Sequence, residues 1–227
     1  MALQAVLFDF NGTIINDEPI HRQLIDELLL SENLRPAAKS YRKICLGKSD
    51  RSCRLDLFAE QGRSINDLQL QKILVSKAQA YQQCLATLDE LPIYPDLTDF
   101  LDEVQSAGMR LGIVTGALRV EVEAVLKQSG LIDRFEVIVA CEDVSTSKPA
   151  PDGYLLAATQ LKVQPSECLA IEDTFPGIKA AQAAQIPVVG IAHTYPFHIM
   201  QRQANWAVDC FADLELQRIQ YTYNGEN

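Results

Sequence analysis

From Leu111 to Ile191 short apolar runs alternate with amphipathic stretches, and this alternation constrains the fold more than any other feature of the chain. Leu111-Gly112-Ile113-Val114, Val137-Ile138-Val139-Ala140, Leu169-Ala170-Ile171 and Val188-Val189-Gly190-Ile191 read as strands. Val120 to Leu126, Tyr154 to Leu161 and Ile178 to Ala184 read as the helices between them. Continuous apolar strands separated by helices imply a parallel sheet covered on both faces. Ala5-Val6-Leu7-Phe8 reads as one more such strand, ending at the turn signal Asn11-Gly12.

Between Pro19 and about Leu88 the pattern is helical throughout, with one stripe at Leu24, Leu28 and Leu29 and another at Leu70, Ile73, Leu74, Lys77, Tyr81 and Leu85. Pro92-Ile93-Tyr94-Pro95 breaks it. The expectation is an α/β chain in which a Rossmann-like parallel core (1–15 and 92–227) carries an inserted helical cap (16–91).

With 20 basic and 30 acidic residues the net charge is -10, which disfavours nucleic acid as a partner, because that binding leans on Lys and Arg contacts to phosphates. No run approaches the roughly 18 apolar residues of a membrane helix. The N-terminus lacks a basic stretch and cleavage site, so a cytoplasmic monomer is expected. Cys45, Cys53, Cys84, Cys141, Cys168 and Cys210 form no CxxC pair and are expected to be reduced thiols.

Ligands of open parallel sheets bind beyond the carboxyl ends of the strands. Here those ends carry Asp9, Thr115-Gly116-Ala117, Ser147-Lys148-Pro149 and Glu172-Asp173. A carboxylate that attacks phosphorus, cations that shield it and hydroxyls that hold phosphate oxygens are the parts phosphoryl transfer requires. Asp9 and Asp173 offer the oxygen ligands that Mg2+ prefers, helped by a backbone carbonyl near Asn11. Lys148 can neutralise phosphate oxygens and the nucleophile.

Taken together, Phe8-Asp9-Phe10-Asn11-Gly12-Thr13, Val114-Thr115-Gly116, Ser147-Lys148-Pro149-Ala150-Pro151-Asp152 and Ile171-Glu172-Asp173-Thr174-Phe175-Pro176-Gly177-Ile178 resemble the four motifs of the haloacid dehalogenase superfamily. The helical insertion after the first motif is similar to that of its β-phosphoglucomutase and phosphoglycolate phosphatase branch. The resemblance implies Asp9 as nucleophile, Thr115 and Lys148 as phosphate partners, and Glu172 and Asp173 around Mg2+. It implies hydrolysis of a small phosphorylated metabolite. An intramolecular phosphomutase is the alternative, and a catalytically weak binding protein of the same fold a third reading.

In the family a second Asp, two positions after the nucleophile, protonates the leaving alcohol. Asn11 stands there, and an amide cannot exchange a proton at neutral pH. Turnover is expected to be impaired, since such catalysis is worth about 10² to 10⁴ in rate. Three readings stay open: weak or altered natural chemistry, an engineered residue that traps a bound state, or another proton source such as a cap residue or water. His21 near the hinge, and Lys48 and Arg51 in the loop Leu46-Gly47-Lys48-Ser49-Asp50-Arg51, are candidate substrate contacts, the two cations toward a distal phosphate or carboxylate. A phosphonate-cleaving relative would need a cap lysine for a Schiff base, but none of Lys39, Lys43 and Lys48 sits in a context that resembles that branch, so it is not favoured.

Overall fold

The computed structural model describes residues 2–37 and 40–223, so Lys39 lies outside the described residues. Six strands form one parallel sheet: β1 (Ala5–Phe8), β2 (Arg110–Val114), β3 (Val137–Val139), β4 (Cys168–Glu172), β5 (Val188–Ile191) and β6 (Trp206–Val208). Their order is β3-β2-β1-β4-β5-β6. β1 is central: Phe8 lies level with Ile113 of β2 and Ile171 of β4. All four β1 residues are buried because both faces are covered. Val6 and Phe8 enter one core, and Ala5 and Leu7 the other.

Ten helices surround the sheet among the described residues. Those of the insertion are α1 (Glu18–Ser31), α2 (Tyr41–Ile44), α3 (Asp50–Glu60) and α4 (Asp67–Ala86). The rest are α5 (Leu97–Ser106), α6 (Arg119–Gln128), α7 (Asp152–Gln160), α8 (Phe175–Ala183), α9 (Phe197–Met200) and α10 (Leu216–Tyr223). Residues of α5, α6 and α10 pack on the first core, and those of α7, α8 and α9 on the second.

The chain leaves and re-enters the sheet layer side by side. Asn16 N–H donates to the Pro92 carbonyl at 2.8 Å, and Tyr94 N–H to the Ile14 carbonyl at 3.1 Å. Between these crossings no strand forms among the described residues. Ile25, Leu29, Tyr41, Ile44, Leu57 and Phe58 of α1, α2 and α3 make a separate apolar cluster. α4 starts from an Asn66–Gln69 capping box and presents the stripe Leu70, Leu74, Lys77, Tyr81, Leu85, all buried. Its far end joins the main core through Tyr81 and Leu85.

The cysteine expectation is corrected: Cys45 and Cys53 form a disulfide, while Cys84, Cys141, Cys168 and Cys210 are free. The turn from α2 into α3 brings the pair together, eight residues apart in sequence, a proximity no motif spacing advertises. β6 is a three-residue edge strand, too short for the sequence to show a period.

Candidate active site

The carboxyl ends of β1, β2 and β4 meet because the three strands are neighbours in register. Asp9 ends β1, Thr115 follows β2, and Glu172 and Asp173 close β4; all four are buried. Lys148 arrives on the loop after β3. Its Nζ lies 2.5 Å from Asp9 Oδ1, 2.6 Å from Glu172 Oε1 and 2.8 Å from the Val114 carbonyl oxygen. Burial works against the ammonium charge, but Asp9 and Glu172 outweigh it and hold Lys148 above its usual range.

Three acids face this one cation. Ligand oxygens of Asp9, Glu172 and Asp173 all lie within 4.8 Å of one another. Burial, then the Asp9 charge, push Glu172 up to about 7 against the pull of Lys148. Burial and the charges of Asp9 and Glu172 also raise Asp173 well above the carboxylate range. Glu172 is anchored by the Tyr154 hydroxyl at 2.7 Å, and Asp173 Oδ2 by the Thr194 hydroxyl, but Asp173 Oδ1 is buried without a hydrogen-bond partner. A surplus of buried oxygen charge with an orphaned carboxylate oxygen fits a hard divalent cation such as Mg2+. Gly12 makes room for the cluster: at φ +83° it adopts a left-handed turn, and a Cβ there would stand 2.1 Å from Asp173 Oδ2.

Thr115 Oγ1 accepts from Ala117 N–H at 3.0 Å, which leaves its own proton free to donate. Gly116 lets the helical insertion close on this turn. A Cβ at Gly116 would meet the Lys48 carbonyl oxygen and Ser49 Cα at 2.9 Å, and the Gly116 carbonyl accepts from Asp50 N–H at 3.0 Å.

Asn11 sits at the centre of a second cluster. Its Nδ2 donates to Asp17 Oδ2 at 2.8 Å and lies 3.0 Å from His21 Nε2, which is also 3.0 Å from Asp17 Oδ2. The Tyr81 hydroxyl donates to the same Asp17 oxygen, and its ring stacks on His21 at 4.9 Å between centroids. Burial would raise Asp17, but the His21 charge and the hydrogen bonds from His21, Tyr81 and Asn11 win and hold it below the usual carboxylate range. Asp17 and Tyr81 were not singled out in the sequence. Tyr81 read as one member of a helical stripe, and only its arrival beneath Asp17 gives it a polar role.

Asp9, Asn11, His21, Lys48, Thr115, Gly116, Ala117, Lys148 and Asp173 border one cavity, and Glu172 lies directly behind Lys148. Arg51 does not join them: its Nη2 pairs with Asp67 at 2.8 Å on an exposed face. Lys48 borders the cavity, but its ammonium is 2.7 Å from Asp56. Arg119, at the start of α6, is tied to Asp143 at 2.6 Å. Arg54, unremarked in the sequence, is buried against the same cavity.

Residues 3–185 match the haloacid dehalogenase-like hydrolase family. The chain belongs to that family. This hydrolase is 28% identical to phosphoglycolate phosphatase of Colwellia psychrerythraea over 218 residues, which covers 93% of this chain and 95% of the relative. A crystal structure of a CbbY variant from Rhodobacter sphaeroides in complex with xylulose-1,5-bisphosphate superposes with a TM-score of 0.84 at 28% identity, over 93% of this chain and 96% of CbbY. β-Phosphoglucomutase from Clostridium difficile shares the fold, with a TM-score of 0.88 at 23% identity and 98% of each chain covered.

Proposed function

We propose that this hydrolase is a phosphatase that releases phosphate from a small phosphorylated metabolite through a phospho-aspartate on Asp9. The observation that carries the reading is Lys148 Nζ at 2.5 Å from Asp9 Oδ1, beside two further acids. A relative named phosphoglycolate phosphatase and a CbbY structure holding a sugar bisphosphate support the substrate class. In this reading residues 16–91 are a cap over the core formed by 1–15 and 92–227.

Asp9 attacks phosphorus, the P–O bond to the leaving alcohol breaks, and the phosphoryl group rests on Asp9 until water takes it. Lys148 and the Thr115 hydroxyl hold the phosphoryl oxygens, in a preorganised site that needs no reorientation as charge develops. Asp9, Asp173, Glu172 and the backbone carbonyl of Asn11 are the groups that would hold Mg2+. When bound, the ion supplies charge that shields the anionic phosphoryl group from the attacking carboxylate.

Asn11 cannot donate the proton the leaving alkoxide needs. In this reading His21 supplies it: the ring borders the cavity, with Nε2 against Asn11 and Asp17. Asp17 and Asn11 both contact Nε2, so the carboxylate orients the ring and Nδ1 is the nitrogen left to pass the proton. Asn11 then acts as the amide that fixes Asp17, and its missing acidity is made good from α1.

The test is phosphate release from a panel of sugar and short-chain phosphates, with and without Mg2+, by the native protein and Asp9→Ala. Turnover that depends on Mg2+ and vanishes in Asp9→Ala is expected. Normal turnover in folded Asp9→Ala would sink the mechanism.

A further inference from the structure

Arg54 is the feature of the cavity that this chemistry leaves unused. It comes from α3 and its side chain is 1% exposed, which is rare for an arginine unless every donor is met. They are not met. Nη1 donates to Cys53 Sγ at 3.1 Å, but Nε and Nη2 are buried without a hydrogen-bond partner. Nη2 lies 3.1 Å from Asp50 Oδ1 as an ion pair without hydrogen-bond alignment. Asp50 is itself shared, because its other oxygen takes Lys77 Nζ at 2.8 Å. Glu18, on the same cavity, also has a buried oxygen, Oε1, with no partner. Burial pushes its carboxyl up, opposed by a hydrogen bond from Tyr41.

Buried guanidinium donors without hydrogen bonds are costly to keep, and the planar fork they form matches an oxyanion. The transferred phosphoryl group does not need it, since that group sits with Lys148 and Thr115. The other cations offered by the loop, Lys48 and Arg51, turn instead to Asp56 and Asp67 in solvent-exposed pairs.

We propose that Arg54 recognises a second anionic group of the substrate, a phosphate or a carboxylate, remote from the phosphoryl group that is transferred. The substrate class is then a small phosphate ester that is anionic at both ends. This assignment rests on the phosphatase reading and narrows it.

The experiment compares phosphate esters of equal chain length that end in a phosphate, a carboxylate or a hydroxyl. kcat/KM is measured for the native protein, Arg54→Met and Arg54→Lys. The native protein should prefer one or both anionic esters, and which one identifies the group. In Arg54→Met the ratio of anionic to hydroxyl-ended kcat/KM should fall by about 10 to 10², the worth of hydrogen bonds to a charged group. Arg54→Lys, which keeps the charge but loses the fork, should fall less, and it carries the test if the Met variant does not fold. No preference in the native protein, or equal loss on all three esters in the variants, overturns the proposal. p-Nitrophenyl phosphate is run alongside. If no ester at all is turned over with Mg2+, the phosphatase reading fails. Calorimetric titration with inorganic pyrophosphate against orthophosphate then decides on Arg54 alone: equal affinities in native and Arg54→Met protein overturn it, and a selective loss for pyrophosphate supports it.

Discussion

The strand ends and the helical insertion treat buried charge in opposite ways. At the ends of β1 and β4 the carboxylates outnumber the cations, and Lys148 holds two of them together across the cavity. Where the insertion meets α6, Arg54 and Lys77 of the insertion are set against its own Asp50 and Glu121 of α6, two cations and two acids. Lys77 also joins the insertion to the sheet layer, because Glu121 belongs to α6 while Asp50 belongs to α3. The contrast separates two tasks. A surplus of acid at the strand ends suits a cation and a phosphoryl group, whereas a guanidinium with unfilled donors in the insertion suits the choice of substrate.

The largest effect should come from the histidine between the two regions. His21→Gln is expected to lower turnover of alkyl phosphates by about 10² to 10⁴ and that of p-nitrophenyl phosphate by less than about tenfold, because an aryl oxide leaves without a proton. Steady-state kinetics on both esters measures this. Asn11→Asp places a carboxylate within reach of Asp17, which is 2.8 Å from the present amide nitrogen. It should change alkyl turnover by less than about tenfold; a gain near 10² would return Asn11 to the status of a true deficit.

Lys77→Met comes next. It strips both Asp50 and Glu121 of their shared cation in a buried setting, and breaking such a pair costs about 3 to 5 kcal/mol. Chemical denaturation should record the loss, and a variant within about 1 kcal/mol of the native protein would mean the bridge is not holding the two regions together.

Reducing the Cys45–Cys53 disulfide should cost about 2 to 3 kcal/mol on chain-entropy grounds for so short a loop. Because the bridge spans the loop that presses on Gly116, the selectivity between esters should change more than the rate on p-nitrophenyl phosphate. Thermal melts with and without reductant, paired with kinetics, check both.

The smallest effect is on acid stability. Burial alone would raise Asp50, but Lys77 and Arg54 prevail and hold it at about 2. A lowered carboxylate contributes stability that is present above its unfolded value of 3.8 and is lost as pH falls towards 2. That contribution is roughly 2 kcal/mol. Asp50→Asn should flatten the stability curve between about pH 4 and pH 2; an unchanged slope there would show that Asp50 is not held by its two cations.

The parallel core was legible because its signals are local. Runs such as Ala5–Phe8 and Val188–Ile191 are apolar at every position, and only a strand buried on both faces requires that. Asp9, Thr115, Glu172 and Asp173 could be singled out because strand ends in a parallel sheet converge whatever the loops do, while Lys148, on the loop after β3, was marked by its motif. Their ordering along the chain carries the same information as their meeting in space.

The insertion offered no such rule. A helical stripe reports which face is buried but not what it is buried against, so Lys77 and Tyr81 read alike as members of the α4 stripe. Only the packing of α4 on α6 and α1 sets Lys77 against Glu121 and Tyr81 against Asp17. Arg51 and Arg54 lie three residues apart on α3, near neighbours on its surface, yet one pairs with exposed Asp67 and the other is buried, a difference set by what packs over the helix. The sequence by itself determined the fold class, the order of the strands' chemistry and the residue that stands in place of an acid. The tertiary structure alone decided which guanidinium keeps unfilled donors, which histidine faces Asn11 and which cysteines pair, because each depends on distances between helices that no local pattern encodes.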